Sequence, residues 1–284
     1  RLWRVTGVQT CALPILFLWN EKAIQIVAGP CSVESEEQLF ATARGLKKIG
    51  IQTLRGGIWK PRSRAHHFEG VGEPGLRWLQ QVQQELSMQV ATEVATPRQA
   101  EVALKYGIDI LWIGARTTVS PFMIQEIAEV LRGGDTPVML KNPVCPDLEL
   151  WTGAVERLLD IDLKQLSLIH RGFSVLDAAP YRNIPCLEMA LEMKKRFPGL
   201  PLFCDPSHIC GKRGLLYGIC AEALRLDMDG LFIESHCCPE VALSDAAQQL
   251  TPEALGKMFE NLGIRQVENN KLHLGCEILI QRKG

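Results

Sequence analysis

Eight short apolar runs, rich in β-branched residues, recur through the chain at intervals that leave room for one amphipathic segment between neighbours. They are AIQIVAG (23–29), IQTLRGG (51–57), MQVATEV (88–94), DILWIGA (109–115), PVMLKN (137–142), QLSLIHRG (165–172), PLFCDP (201–206) and GLFIES (230–235). A strand with one wet face alternates apolar with polar residues, so near-continuous apolar character predicts parallel strands covered on both faces. The segments between them carry helix punctuation. Ser35 and Gln38 form a capping box ahead of a Leu39, Ala43, Leu46 stripe, and Gly50 stands where that helix ends. Thr96-Pro97 and Ser120-Pro121 each pair an N-cap with a proline at the first helical position. Leu148, Trp151, Val155 and Leu158 form another stripe, and TPEALGKMFENLG (251–263) closes the series. Eight such units over about 240 residues predict an α/β fold of the TIM (β/α)8 barrel type. A doubly wound sheet is the alternative, weakened because no GxGxxG follows the first run.

No Gly/Pro/Ser-rich linker divides residues 16–265, which predicts a single barrel domain over that range. Residues 1–15 are set aside: Val5 to Ile15, VTGVQTCALPI, resembles the translation of a sequencing-library adapter. Residues 266–284 form a tail of undefined structure. With 46% hydrophobic and 22% charged residues in 284, the chain can bury a large core. A net charge of −1 gives no basic field for nucleic acid, and no apolar run is long enough to span a bilayer. The expectation is a cytoplasmic protein with neither nucleic-acid nor membrane partner. Ten cysteines without a CxxC pair argue against a zinc ribbon. Cys145, Cys186, Cys204 and Cys220 lie in apolar runs and read as small buried residues in a reducing compartment.

Reactive residues collect where the predicted strands end, and in a barrel those ends converge on the catalytic mouth. One set is cationic: Arg55, Lys60, Arg62, Arg116, Lys141 and Arg171. Six cations in a chain of net charge −1 are a local feature and must face anions. Arginine forks suit phosphate and carboxylate, so two anionic substrates, or one substrate with two anionic groups, fit. Taken singly, each of these residues reads as a solvated rim charge. The second set is Cys31, His208, Glu234 and Asp245, a thiolate, an imidazole and two carboxylates that can enclose a divalent cation if a barrel brings them together. That donor set is compatible with Mn, Fe, Co or Zn. Lys212 and Arg213 read as loop cations near a substrate phosphate, and Cys237 and Cys238 as loop thiols.

In order, the motifs GPCS (29–32), LRGG and KPRS (54–63), IGARTT (113–118), LKN (140–142), HRG (170–172), DPSH (205–208) and ALSD (242–245) resemble those of 3-deoxy-D-arabino-heptulosonate 7-phosphate (DAHP) synthase. The resemblance runs from about residue 24 to about residue 265 and is closest to the short, barrel-only type related to bacterial enzymes fused to chorismate mutase. It implies a metal-dependent, aldol-type condensation of phosphoenolpyruvate with erythrose 4-phosphate that releases phosphate, the first step of the shikimate pathway. It implies Cys31, His208, Glu234 and Asp245 as metal ligands. It implies Arg55, Lys60, Glu93, Arg116, Lys141 and Arg171 as phosphoenolpyruvate contacts, and Lys60, Pro61, Arg62 and Ser63 as erythrose 4-phosphate contacts. Ser63 stands where the family has threonine; the hydroxyl is kept with a less restricted rotamer. Lys60 and His208 are the candidate proton carriers, and the residues leave open which serves. A homo-oligomer, and a chorismate mutase domain in the native gene, are the expected associations.

Three other readings compete. 3-Deoxy-D-manno-octulosonate 8-phosphate synthase shares the fold and chemistry, but its phosphate loop carries asparagine before RS, where this chain has WKPRS (59–63). A Schiff-base aldolase would use Lys141 and leave Cys31, Glu234 and Asp245 without a role. A non-catalytic barrel acting as a regulatory subunit would have no need of an intact ligand set.

Overall fold

The computed structural model describes residues 16–60 and 68–267. The ten strands are β1 (Leu16–Trp19), β2 (Lys22–Gly29), β3 (Thr53–Arg55), β4 (Gln89–Val94), β5 (Ile110–Ile113), β6 (Val138–Lys141), β7 (Leu166–His170), β8 (Leu202–Cys204), β9 (Gly230–Glu234) and β10 (Arg265–Val267). Each of the eight predicted runs coincides with one of β2 to β9; β2 starts one residue before its run, and the other seven strands are shorter than theirs. Neighbours from β2 to β9 pair in parallel, and β2 also pairs with β9, Gln25 opposite Gly230 through Gly29 opposite Glu234. That last pairing closes the sheet into an eight-stranded barrel and excludes the doubly wound alternative, which has free edges.

The helices are α1 (Glu36–Lys48), α2 (Pro74–Leu86), α3 (Pro97–Lys105), α4 (Ala115–Thr118), α5 (Pro121–Leu131), α6 (Leu148–Leu159), α7 (Leu187–Arg196), α8 (Pro206–Cys210), α9 (Leu216–Arg225) and α10 (Pro252–Leu262). One long helix follows each barrel strand; α4 and α8 are single turns inserted where β5 and β8 end. The caps predicted at Ser35, Thr96 and Ser120 form, and Thr251 adds one that was not predicted. Ser35, Thr96, Ser120 and Thr251 each accept a backbone N–H from the residue three positions on. Gln38 completes the box by accepting from the Glu34 N–H rather than that of Ser35. Trp151, Val155 and Leu158 of α6 are fully buried against the barrel.

Two cores result, and strand periodicity separates them. Val27, Ala91, Ile110, Trp112, Met139, Ile169, Phe203 and Phe232 cluster inside the barrel. Their neighbours on the same strands, such as Leu111, Ile113, Leu231 and Ile233, belong to the larger core between strands and helices. Trp112 and Phe232 meet edge to face with centroids 5.3 Å apart, one layer below the strand ends.

An antiparallel flap was not anticipated. β1 pairs with the first residues of β2 and with β10, so the flap lies at the strand-entry end of the barrel, opposite the strand C-termini. Asn20 and Glu21, both at positive φ (48° and 64°), make the two-residue turn between β1 and β2. Phe17 packs edge-on against Phe259 of α10 at 6.0 Å, and Trp19 Nε1 donates to the Leu262 carbonyl. β1 pairs locally with β2 across that turn, and β10, distant in sequence, covers its other edge. β10 also carries regular structure to Val267, two residues beyond the expected limit of the barrel domain.

The expected burial of cysteines holds for Cys204 and Cys220 but not for Cys145, which is exposed, or Cys186, which is half-buried. Both fall in loops outside the strands that their apolar neighbours form. Among the described residues no helix is long and apolar enough to cross a membrane.

Trp112→Ala empties the centre of the interior layer. The expected loss is about 3–5 kcal/mol of stability, read as a lower denaturant midpoint at unchanged m-value.

Candidate active site

Strand parity builds the site directly on the interior layer. Two residues beyond Ala91, Met139, Ile169, Phe203 and Phe232 come Glu93, Lys141, Arg171, Asp205 and Glu234; four beyond Val27 comes Cys31. Each therefore points into the barrel mouth. Two glycines make room. A Cβ on Gly114, two residues beyond Trp112, would lie 2.0 Å from Glu93 Oε1. A Cβ on Gly29 would lie 2.1 Å from the Arg55 carbonyl oxygen.

The mouth holds a cavity of about 400 Å³ lined by Arg55, Lys60, Glu93, Arg116, Lys141, Arg171, Arg182, Asn183, His208 and Asp245. Arg55 is 1% exposed and sits over the rings of Trp112 and Phe232, its Cζ 5.0 and 4.5 Å from their centroids. One Nη donates to Glu234 Oε1 at 3.3 Å; buried Nε and the other Nη have no hydrogen-bond partner among the described residues. Lys141 Nζ lies 5.0 Å from the Phe232 centroid and 2.7 Å from Asp205 Oδ2. Burial pushes the Lys141 ammonium below its ordinary pKa, against the pull of Asp205. Burial likewise brings Arg171 down to about 10. Arg116, on α4, is exposed at the rim. Five of the six predicted cations thus share one cavity. Arg62, with Pro61 and Ser63, lies outside the described residues.

The second set converges on one wall of the same cavity. Ligand atoms of Cys31, Glu234 and Asp245 all lie within 4.8 Å of one another. His208 Nε2 is 3.7 Å from Glu234 Oε1 and 3.8 Å from Asp245 Oδ2. The stretch DPSHICG explains how the imidazole is presented. Asp205 caps α8 by accepting the His208 N–H, Pro206 starts the turn, and Gly211 ends it at φ 66°. The Asp205 carboxylate also takes the His208 Nδ1–H, 2.8 Å from Oδ2, so Nε2 keeps its lone pair toward the acids. Burial lowers the His208 pKa and keeps the ring neutral, while Asp205 opposes that shift. Burial also works against ionisation of Asp205, but His208 and Lys141 outweigh it and hold the carboxyl well below its usual range.

The Cys31 thiol is fully buried, and burial together with Glu234 and Asp245 pushes its pKa up. Its Sγ is 3.3 Å from Asp245 Oδ2 and 3.3 Å from Lys60 Nζ. Burial disfavours the Lys60 ammonium, yet Cys31, Glu93 and Glu234 raise its pKa and keep it protonated. For Asp245, burial is overcome by His208, Arg182 and Lys60, and the carboxyl stays ionised. A soft thiol, a neutral imidazole and two carboxylates, each with one atom turned to a common point, fit a divalent cation that replaces the thiol proton.

Several contributors went unread in the sequence. Arg182 donates to Asp245 Oδ1 at 3.0 Å and to Gln248 Oε1 at 2.9 Å. Asn183 accepts from Arg171 Nη1 at 3.0 Å and donates to the His208 carbonyl at 2.6 Å, joining the two sets. Their signal was the long loop between β7 and α7, which has little regular structure of its own. Arg213 corrects an expectation. It turns from the cavity and donates to the carbonyls of Gln249 and Ala246, pinning the loop that carries Asp245. Cys237 contacts the Gln38 carbonyl and its own neighbour His236, not the ligand cluster.

Fold and site together define a (β/α)8 barrel enzyme whose mouth sets a donor cluster suited to a divalent cation beside a cavity lined by cationic side chains. The chain belongs to the DAHP synthetase I family, whose model it matches over residues 17–267. It is 31% identical over 241 residues to a phospho-2-dehydro-3-deoxyheptonate aldolase of Thermotoga maritima, covering 84% of this chain and 68% of that protein. The crystal structure of a Thermotoga maritima DAHP synthase superposes with a TM-score of 0.75 at 30% identity, over 84% of this chain and 68% of that one. A 2-dehydro-3-deoxyphosphooctonate aldolase of Nitrosococcus oceani is a more distant relative, 29% identical over 264 residues, covering 85% of this chain and 89% of that protein.

Asp205→Asn strips the counter-charge from buried Lys141 and leaves one acceptor oxygen where two served Lys141 and His208. The expected cost is about 3–5 kcal/mol of stability. Because the Asp205 pKa is depressed, its contribution is complete above the unfolded value of about 3.9 and fades as pH falls below it. Denaturation midpoints of parent and variant should therefore differ by a constant amount from neutral pH to about 5 and converge in stronger acid.

Proposed function

We infer that the chain is a DAHP synthase, condensing phosphoenolpyruvate with erythrose 4-phosphate and releasing phosphate. One observation carries the reading: the Cys31 thiol and the Glu234 and Asp245 carboxylates cluster, with the His208 imidazole against both acids, beside a cavity lined by cationic side chains. Phosphoenolpyruvate is a small trianion. Arg55, whose Nε and one Nη have no hydrogen-bond partner among the described residues, together with Arg116, Lys141, Arg171 and Lys60, offers donors suited to its phosphate and carboxylate. Erythrose 4-phosphate enters on the Lys60 side, where Pro61, Arg62 and Ser63 follow in sequence.

A divalent cation (Mn, Fe, Co or Zn) held by Cys31, His208, Glu234 and Asp245 supplies Lewis-acid polarisation of the aldehyde. The cationic wall keeps the enol carbon of phosphoenolpyruvate within reach of the aldehyde carbon, an entropic contribution to the rate. As the carbon–carbon bond forms, the aldehyde oxygen gains a proton and positive character develops at the central carbon of phosphoenolpyruvate. Water adds there, and phosphate leaves with C–O cleavage. Of the two candidate proton carriers, His208 has Nδ1 bound to Asp205 and Nε2 turned to the cation site, so neither nitrogen is free. Lys60, protonated and 3.9 Å from Glu93 Oε2, is the donor to the aldehyde oxygen. Glu93 is the acceptor for the proton lost by water.

The full chain should release phosphate from phosphoenolpyruvate faster with erythrose 4-phosphate than with arabinose 5-phosphate, by on the order of tenfold or more, ~1.4 kcal/mol in the barrier. Equal or reversed rates would assign the eight-carbon synthase instead. Stripping divalent metal should abolish turnover, and adding Mn, Fe, Co or Zn back should restore it; full turnover of a rigorously stripped sample contradicts the role given to the four ligands.

A further inference from the structure

Both carboxylates of the cation site are held from behind. Asp245 Oδ1 takes a hydrogen bond from Arg182 at 3.0 Å, and Glu234 Oε2 takes one from Gln248 Nε2 at 2.7 Å. Their other oxygens, Asp245 Oδ2 and Glu234 Oε1, face His208 Nε2. Gln248 Nε2 also lies 3.4 Å from Asp245 Oδ2, so one amide spans both acids. The orientation of that amide is not arbitrary. A guanidinium can only donate, so Arg182 Nη1, 2.9 Å from Gln248 Oε1, obliges the carbonyl end to face it and the NH₂ end to face the acids. At 1% exposure, Gln248 is shielded from water that could replace these bonds.

Gln249, fully buried, does the matching work on the other side. Its Oε1 accepts the Cys31 N–H at 3.0 Å, and its Nε2 donates to the Ser244 carbonyl at 2.7 Å. Two adjacent amides therefore tie the loop that carries Asp245 to β9 through Glu234 and to the end of β2 through Cys31. Asp245 itself sits at φ 51°, a conformation a free loop rarely holds at a non-glycine residue.

We propose that Gln248, oriented by Arg182, is a positioning residue of the cation site: it holds Glu234 Oε2 from behind so that Oε1 faces the ion, while Arg182 does the same for Asp245 through Oδ1. The proposal rests on the cation-dependent reading above. Because Gln248 is neutral, replacing it changes the geometry without changing the charge of the site. Outer partners of this kind typically contribute about 10- to 100-fold in metal affinity. Gln248 does not line the cavity assigned to phosphoenolpyruvate, so its effect belongs to the ion and not to that substrate.

The test uses the metal-stripped full chain and its Gln248→Met variant, titrated with Co²⁺. The readouts are thiolate-to-cobalt charge-transfer absorption and the ligand-field bands. Gln248→Met keeps length and neutrality and removes only the amide. Expected are an apparent Kd weaker by about 10- to 100-fold, altered ligand-field bands, and an unchanged KM for phosphoenolpyruvate once Co²⁺ is saturating. Gln248→Asn, whose shorter amide cannot span both acids, is the second variant, and circular dichroism before metal addition verifies that each folds. Parental Co²⁺ affinity and spectrum in either folded variant would overturn the proposal. Absence of the charge-transfer band in the parent would instead overturn the cation reading on which it rests.

Discussion

Charges buried at the mouth of a dry barrel dominate this structure. Arg55 is 1% exposed and Lys141 5%, while Glu234 and Asp205 are fully buried. An isolated charge in such a place costs several kcal/mol, and each is tolerated only because a specific partner lies within reach. Arg55 has Glu234, and Lys141 has Asp205. Both cations also rest on aromatic faces, Arg55 on Trp112 and Phe232, Lys141 on Phe232. The interior hydrophobic layer is therefore more than filler. It is the floor on which a reactive ring of cations can stand without solvent, and low local dielectric is what makes that ring attractive to anionic substrates.

The same constraint couples the two halves of the site. Asp205 is shared between Lys141, on the anion-binding side, and His208, on the cation-binding side. Asn183 repeats the link between Arg171 and the His208 backbone. Neither half can be rearranged alone. Cys31 shows the converse problem. Its thiol is held up in pKa by burial beside two acids and keeps its proton unless a positive charge offsets them.

The chain belongs to the DAHP synthetase I family, and loops complete its barrel mouth. Here the loop between β7 and α7 and the loop after β9 meet at Arg182, Asp245 and Gln248. They surround a rigid barrel end whose residues are set two apart along each strand. A rigid frame with adaptable loop braces suits a fold that has to hold several charges in fixed register.

Much of this was legible in one dimension. Near-continuous apolar runs predict eight buried parallel strands, and once those strands are placed, parity directs Glu93, Lys141, Arg171, Asp205 and Glu234 inward. Local chemistry likewise specifies the helix caps at Ser35, Thr96 and Ser120 and the turn that presents His208. Those features depend on neighbours a few residues away, which is the range over which sequence pattern acts. The rest was decided only in three dimensions. The hairpin of β1 with β2 gained its second partner, β10, from about 250 residues on. Arg213 turned to loop carbonyls instead of the cavity, and Gln248 and Arg182 reached acids brought to them by the closure of β2 on β9. A side-chain hydrogen bond has no period and no fixed sequence separation, so its partner exists only once the barrel has closed.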